Sequence, residues 1–302
     1  MGAELRLVER PALTRPVLIA AFKGWNDGGQ AATLAAAYLA RSWQAERFAD
    51  IDPEGFVDFQ AVRPTVTLDE GLTRHIEWPE NAFFHARVPG TERDAVILLG
   101  VEPNYRWRAF TDVVSGLATD LGVELVVTLG ALLADVPHTR PAPVTGAATD
   151  PQLVEELGLQ LSRYEGPTGI VGVLHDACKR HEIRSVSLWS AVPHYVSLVP
   201  SPRAAKALCV RLGTLLGATI DVAELAEAEE AYASQVSEAV AADAETTAYV
   251  EELEHRADTI ELFTDEGELP SGDALAAELT RFLRERDREQ RGDGDPPGPR
   301  GI

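Results

Sequence analysis

A glycine-containing loop follows the first apolar run of the sequence and offers groups that could bind an anion. Cationic, amide and carboxylate side chains precede two glycines there, at Lys23, Asn26, Asp27, Gly28 and Gly29. Glycines at the start of a helix let backbone N–H groups approach an anion, and the helix dipole favours negative charge there. The competing interpretation is that Asn26 or Asp27 caps the helix. Lys23 stands out because the chain has only three lysines.

A second polar loop carries Glu102, Arg106 and Arg108 around Trp107. Arginine recognises anionic groups through two parallel hydrogen bonds, which makes the two arginines and their neighbour Glu102 candidates for ligand binding. Two other roles stay open at this point. The arginines could pair with Glu102 and so fix the loop, or they could belong to an oligomer interface, where Arg and Trp are enriched.

Three histidines lie where they could take part in chemistry. His138 and His194 follow apolar runs, and histidine titrates near neutrality, as a general acid or base must. They are the catalytic candidates if the protein is an enzyme, although an isolated histidine in a loop is more often structural. His175 lies next to Asp176 in an apolar helical stretch, which favours a hydrogen-bonded structural pair over a catalytic dyad.

The sequence lacks the motifs that usually mark metal, nucleotide or serine-nucleophile sites. It contains no H-E-x-x-H, paired C-x-x-C, G-x-S-x-G, G-x-G-x-x-G or P-loop. We therefore expect no metal and no cofactor. Cys178 and Cys209 lie in apolar stretches, which indicates buried, reduced thiols. No signal peptide or membrane-spanning run is apparent, so we expect a cytoplasmic protein without a membrane partner.

The candidate loops are positioned by apolar runs typical of strands that are buried on both faces. Such runs occupy residues 17–22, 95–99, 125–129 and 185–192. Helical patterns separate them, which predicts a mostly parallel sheet in an α/β fold. Ligands collect beyond the carboxyl ends of parallel strands. We therefore expect four loops to meet at one edge of the sheet, those at 23–29, 102–108, 132–140 and 193–196.

The segments between these units are less regular. Residues 45–90 carry β-forming residues, including those at 56–59, which predicts antiparallel strands or hairpins added to the sheet. A proline-rich loop is expected from 131 to 149. After it, Asp150 and Pro151 have the residue types that start a helix, so a short helix should begin there.

The chain is acidic, and most of the acid lies in one segment. Its 302 residues carry a net charge of −21, which argues against nucleic acid and anionic membranes as partners. Residues 221–290 hold 21 acidic and 5 basic residues and show helical apolar stripes, the last at 275–283. We expect an α/β domain over 1–220, an acidic helical extension over 221–290 and a disordered tail over 291–302.

Five segments of the sequence resemble the proteasome assembly chaperone 2 family, in the form of its standalone bacterial members. The segments are FKGWNDGG (22–29), GVEPNYRW (100–107), LGALLADVPHTR (129–140), YEGPTGI (164–170) and LWSAVPHY (188–195). The resemblance extends over residues 5–220. It implies a three-layer α/β/α fold related to that of nucleoside phosphorylases, and it implies no known reaction.

The resemblance also implies homo-oligomers, with trimers expected from the bacterial relatives. Eukaryotic relatives are non-catalytic chaperones that dock on proteasome α subunits through short C-terminal motifs, whereas this chain ends in an acidic region and a Gly- and Pro-containing tail. We therefore expect a non-catalytic oligomeric assembly factor, with proteasome subunits as candidate partners. The alternative is a small-ligand-binding protein or an enzyme of nucleoside phosphorylase or hydrolase type that uses the strand-end pocket.

Overall fold

The computed structural model describes residues 4–69, 73–148, 150–161, 164–196 and 200–264. The strands are β1 (Leu5–Leu7), β2 (Val17–Lys23), β3 (Glu46–Ile51), β4 (Thr65–Asp69), β5 (Thr73–Glu77), β6 (Asn81–Arg87), β7 (Asp94–Val101), β8 (Leu125–Ala134), β9 (Val144–Ala148), β10 (Gln160–Leu161) and β11 (Ser185–Pro193). The helices are α1 (Ala31–Ser42), α2 (Trp107–Asp120), α3 (Pro151–Leu157), α4 (Ile170–Arg180), α5 (Pro202–Leu216), α6 (Ala223–Ala241) and α7 (Ala244–Thr264).

Nine strands form one sheet in the order β1-β3-β6-β7-β2-β8-β11-β9-β10. The four central strands, β7, β2, β8 and β11, are parallel to one another. Strands β6, β3 and β1 continue one side in antiparallel pairing, and β9 pairs antiparallel with β11 on the other. Every residue from Val17 to Phe22 in β2 is buried, which explains its continuous apolar run.

Helices cover both faces of the sheet and give three layers. Successive strand residues point to opposite faces, so Leu18 and Ile19 enter different cores. Ile19 packs with apolar residues of α1 and α5, and Leu18 packs with residues of α2 and α4. Burying each large apolar side chain contributes about 1.5–3 kcal/mol. The predicted α/β/α fold with a mostly parallel central sheet is confirmed.

Three sequence predictions about local structure were wrong. Residues 56–59 form no strand: a 3-10 turn at Pro53–Gly55 precedes Phe56, whose buried ring packs edge-on against Phe110 of α2 at 5.5 Å. Their apolar residues fill a core instead of one face of a sheet. The expected loop at 131–149 contains the end of β8 and all of β9. Strands β4 and β5 form a two-stranded sheet of their own instead of joining the main one.

Other local predictions were confirmed. The Asp150 carboxylate accepts a hydrogen bond from the Gln152 backbone N–H at 2.9 Å and caps α3, with Pro151 at its first position. Cys178 and Cys209 are buried, free thiols. Burial raises the pKa of Cys178 to about 11 and that of Cys209 to about 12, so both remain protonated at neutral pH.

Two acidic helices pack against the α/β layers. Leu225 of α6 joins the core next to α1 and α5. Tyr232, Val236, Val240 and Val250 form a further apolar cluster that contacts the loop after β11. The expected boundary at residue 220 stays a prediction, whereas the helix expected at 275–283 and the tail at 291–302 lie outside the described residues. None of the described helices is long and apolar enough to cross a membrane.

Candidate functional site at the carboxyl ends of the strands

The four candidate loops meet at one edge of the sheet, as the strand pattern predicted. They follow β2, β7, β8 and β11, which are parallel neighbours in the sheet. Backbone hydrogen bonds join them in pairs: Glu102 N–H to the Lys23 carbonyl at 2.8 Å, Ala131 N–H to the Asn26 carbonyl at 2.8 Å, and His194 N–H to the Ala134 carbonyl at 3.2 Å. The loops are therefore parts of one surface.

The Asp27 carboxylate accepts hydrogen bonds from the first turn of α1, as the capping interpretation of the glycine loop expected. Its Oδ1 accepts hydrogen bonds from the backbone N–H groups of Ala32 at 2.9 Å and Thr33 at 3.2 Å, and its Oδ2 accepts one from the Thr33 hydroxyl. Burial raises the pKa of Asp27, and the hydrogen bonds from Thr33 oppose that shift. Two N–H groups of the first turn are thus already satisfied by the chain.

The two glycines of this loop permit close packing. A Cβ on Gly28 would lie 3.1 Å from backbone atoms of Leu132 in the neighbouring loop. Gly29 has a φ of +57°, which L side chains adopt at a cost, and its carbonyl accepts a hydrogen bond from Ser201 at 2.8 Å. Both glycines therefore let the loop after β2 pack closely against the loops that contain Leu132 and Ser201.

Glu102 connects three chain segments at this edge. Its Oε1 accepts a hydrogen bond from the Ile170 N–H at the start of α4 at 2.8 Å, and its Oε2 accepts one from the Trp25 N–H at 3.1 Å. A Cβ on Gly24 or on Gly169 would lie 2.8 Å from these oxygens, so glycine is what lets the carboxylate fit between the loops. Both carboxylate oxygens of Glu102 thus accept hydrogen bonds from backbone N–H groups.

Asn26 lies beside this carboxylate. Its side chain is buried, and its Oδ1 has no hydrogen-bond partner among the described residues. A Cβ on Gly169 would lie 2.0 Å from that oxygen. The Asn26 amide oxygen therefore lies against Gly169, the residue that precedes α4.

The three candidate cations have different surroundings. Lys23 is exposed at the end of β2, and Arg108 is exposed in the first turn of α2. Arg106 pairs with Glu4 and lies over the ring of Phe56, 5.1 Å from its centroid. The Arg–Glu102 pair considered from the sequence does not form, because Glu102 binds backbone N–H groups of other segments.

His138 is buried beneath α6, with 2% of its surface exposed. Its Nδ1 lies 2.8 Å from the Tyr195 hydroxyl, and its Nε2 lies 3.1 Å from the Ser237 hydroxyl of α6. Its backbone N–H also donates to Tyr195 at 2.8 Å. Burial lowers the pKa of His138, so the ring is neutral at pH 7. It links the β8 loop, the β11 loop and α6.

His194 makes a similar link to α7. Its Nδ1 lies 3.0 Å from Oδ1 of Asp135, which also accepts a hydrogen bond from the Tyr249 hydroxyl of α7 at 3.0 Å. The His194 ring packs edge-on against Tyr195 and Tyr249, with centroids 5.8 and 5.6 Å away. No pattern in the sequence indicated that Ser237 and Tyr249 would contact these histidines, because both lie in the acidic helices.

Ion pairs add to these links between the body and the acidic helices. Arg140 holds Asp258 of α7 through two hydrogen bonds, at 2.7 and 2.9 Å. Arg203 and Lys206 of α5 both pair with Glu229 of α6. Cations of the β8 loop and of α5 are thus matched by carboxylates of the same chain.

His175 differs from the expected His–Asp pair. Its Nε2 lies 3.0 Å from the Thr128 hydroxyl of β8, and its Nδ1 lies 2.8 Å from the Ser185 hydroxyl of β11. Asp176 is exposed and pairs with Arg180 instead. Consecutive helix residues point about 100° apart, so they do not face each other. His175 is structural, but its partners are hydroxyls of the sheet.

These features define a three-layer α/β/α protein whose strand-end edge is largely occupied by its own side chains. The model of the PAC2 family matches residues 21–240. The chain belongs to the PAC2 family, which confirms the resemblance found in the five segments. The matched range starts in the last part of β2 and extends through nearly all of α6.

Solved structures agree with this assignment. A PAC2 family protein from Streptomyces avermitilis is 49% identical, over 78% of this chain and 99% of that one, with a TM-score of 0.72. A proteasome-assembly chaperone homologue from Mycobacterium tuberculosis is 47% identical, with coverages of 78% and 99% and a TM-score of 0.70. A protein of unknown function from the same organism is 28% identical, with coverages of 95% and 97% and a TM-score of 0.81. The search of curated proteins found no match.

Proposed function

We propose that this protein is a non-catalytic, homo-oligomeric assembly factor that acts as a chaperone-like scaffold in the cytoplasm. Membership of the PAC2 family supports this proposal, and so does the likeness to a chain described as a proteasome-assembly chaperone homologue. The trimer expected for bacterial relatives is the subunit number we propose.

The state of the strand-end edge is the observation that carries the proposal. In enzymes of open α/β folds this edge holds the substrate in a crevice. Here His138 and His194 are held by side chains of their own chain, and both oxygens of Glu102 accept backbone hydrogen bonds. A general acid or base must reach a substrate atom within hydrogen-bond distance, and the buried His138 offers no such access. These contacts support a structural role for this edge of the sheet.

The molecule also has a cavity away from the strand-end edge, and its walls combine charged and apolar residues. About 200 Å³ in volume, it lies at the amino ends of the strands, where Arg93, Glu124, Leu153 and Arg184 contribute to its walls. Arg93 pairs with Glu124, and Arg184 pairs with Glu156. Its charged groups are thus matched by each other, which gives it no evident catalytic constellation.

Proteasome subunits are the partners we propose. The chain would be co-expressed with proteasome α and β subunits of its own source, and complexes would be identified by native mass spectrometry. We expect a complex with unassembled subunits that disappears once the particle is complete, together with a higher yield of complete particles than without the chain. Unchanged yield with no such complex would contradict the proposal.

The ligand-binding alternative draws support from one feature. The buried Asn26 oxygen has no hydrogen-bond partner among the described residues, and Lys23 of the same loop and Arg108 are exposed cations. Thermal unfolding with nucleosides, nucleotides and inorganic phosphate tests this alternative, because a ligand at a hundred times its Kd adds about 2.7 kcal/mol. We expect no shift. A shift that Lys23→Ala abolishes would favour the alternative instead.

A further inference from the structure

The β4–β5 hairpin exposes an apolar face. Ten large apolar side chains are strongly exposed in the described part of the chain, and four of them belong to this hairpin or its base: Val66 (55%), Leu68 (63%), Ile76 (47%) and Trp78 (52%). We call these four residues the hairpin surface. Single exposed apolar residues are ordinary, but a contiguous group marks an interaction site.

The strand register places the strand members of this surface on one side. Val66 is directly opposite Ile76, and Leu68 lies two residues further along the same strand. Side chains at this spacing share a face. The other side carries Thr67 and His75. This alternation is typical of a sheet that packs one face against an apolar layer, yet within the described residues that face stays exposed.

The hairpin needs such a layer. It forms a two-stranded sheet of its own, apart from the main sheet, and an isolated two-stranded hairpin is marginal in water. Its base is anchored, because Trp78 packs edge-on against Phe59 with ring centroids 5.0 Å apart. The apolar face beyond that anchor lacks the burial that would stabilise it.

The charge of the hairpin restricts what can cover it. Residues 63–78 contain three acidic and two basic residues, whereas the whole chain carries −21. Two chains of this charge repel each other over most of their surfaces, and a nearly neutral apolar surface is where they can approach. A copy of the same chain is also a partner that is present whenever the hairpin folds.

We propose that the hairpin surface packs against the hairpin surface of neighbouring copies around a symmetry axis. The contact is apolar, and Arg74, which lies on the same face opposite Leu68, would flank it. This inference rests on the oligomeric scaffold proposed above and assigns the surface through which that scaffold assembles.

A matched pair of substitutions tests the surface. Val66→Asp places a carboxylate in the proposed contact, and Val210→Asp places one on α5 at a valine of similar exposure, 51%. Molar mass would be measured by light scattering across protein concentrations, with circular dichroism to verify folding. We expect the wild type and Val210→Asp to be oligomers of equal mass, and Val66→Asp to dissociate at least tenfold more readily.

Cross-linking provides a second test that does not depend on disrupting the hairpin. The native cysteines are buried, so Leu68→Cys introduces an exposed thiol. A short bis-maleimide should join copies of Leu68→Cys but not copies of Val210→Cys.

The outcomes separate this surface from the scaffold proposal. A wild-type oligomer that persists in Val66→Asp and does not cross-link at position 68 overturns the surface and leaves the scaffold standing. A monomeric wild type overturns both. A third outcome is a monomeric wild type that binds a different protein, with Val66→Asp no longer binding it. That outcome would assign the surface to the other protein and contradict self-association.

Discussion

Glu102, a residue that the sequence made a candidate for ligand binding, also holds parts of the fold together. Its two oxygens accept N–H groups of Trp25 and Ile170, so it ties the loop after β2 and the start of α4 to the end of β7. A carboxylate at the start of a helix also interacts favourably with the helix dipole. Residue type and loop position alone could not distinguish this role from ligand binding.

Replacing Glu102 by alanine should destabilise the protein. It leaves two backbone donors without their charged acceptor, and hydrogen bonds to charged groups contribute about 1.5–3 kcal/mol each. We expect the free energy of unfolding in urea to fall by about 2–4 kcal/mol, which is less than the sum for two bonds because water can reach the exposed Trp25 N–H. Glu92→Ala, at an exposed site, is the control and should change it by less than about 0.5 kcal/mol. Equal effects would show that Glu102 is not a structural tie.

His175 should make stability depend on pH. Burial lowers its pKa from 6.5 to about 4, so the folded state favours the neutral ring and the unfolded state binds the proton more readily. The stability that the neutral His175 ring gives the folded state is complete above pH 6.5 and is lost as the pH falls toward 4. Between these values the loss amounts to about 3 kcal/mol. His138 acts with the same sign, because burial also lowers its pKa.

The His175→Gln variant provides the measurement. Its unfolding free energy, followed by urea denaturation from pH 7.5 to 4.5, should fall less steeply with decreasing pH than that of the wild type. His181→Gln, at an exposed helix end, should keep the wild-type slope. Parallel profiles for all three proteins would refute the assignment.

At the scale of elements, α6 and α7 complete the strand-end edge. Their Ser237 and Tyr249 bond residues of the loops after β8, and Arg140 of that loop holds α7 through Asp258. In the sequence, their residues showed a single helical apolar stripe from Val222 to Leu253. That stripe did not indicate which loops the helices would cover.

Arg140→Gln should loosen α7 selectively. The pair with Asp258 is partly exposed, so its contribution to global stability is about 1 kcal/mol or less. Hydrogen exchange measured by mass spectrometry should nevertheless speed up in peptides from residues 244–258, while the central strands stay protected. Arg256→Gln removes an exposed pair within α7 and should leave the exchange of the β8 loop unchanged. Uniform exchange across Arg140→Gln would contradict this role.

The same scale shows why some predictions of elements failed. Phe56 and Phe59 belong to residue types that favour strands, yet Phe56 packs under α2 and Phe59 packs against Trp78. Apolar residues report burial, and over four positions their spacing does not distinguish a strand from a buried turn. The long runs at β2, β7, β8 and β11 were predicted because each is buried on both faces.

For the whole molecule, part of the net charge of −21 comes from acidic residues that form ion pairs within the fold. The acidic helices place Glu229 and Asp258 against basic residues of the body, and they place Tyr232 and Val236 in an apolar cluster. Part of the acidic segment is thus integrated with the α/β layers rather than facing solvent.

Ending the chain at Ile220 should therefore destabilise it strongly. The truncation removes the buried side chains of Leu225, Tyr232 and Val236, each contributing about 1.5–3 kcal/mol. We expect the unfolding free energy to fall by at least about 5 kcal/mol. A chain ending at Thr264 is the control, because it retains every described residue, and should unfold like the full chain. Equal stability of both shorter chains would make residues 1–220 an independent domain.

The sequence by itself determined the layers, the parallel centre and the single edge at which the polar loops meet. Strand and helix periods encode which side of an element is buried, and parallel strands necessarily end at the same edge. Only the tertiary structure decided which partners the polar side chains take. His138 meets Ser237 across 99 residues, and Arg140 meets Asp258 across 118. Such contacts depend on how whole helices dock, because local spacing specifies a face and not the residue that will cover it.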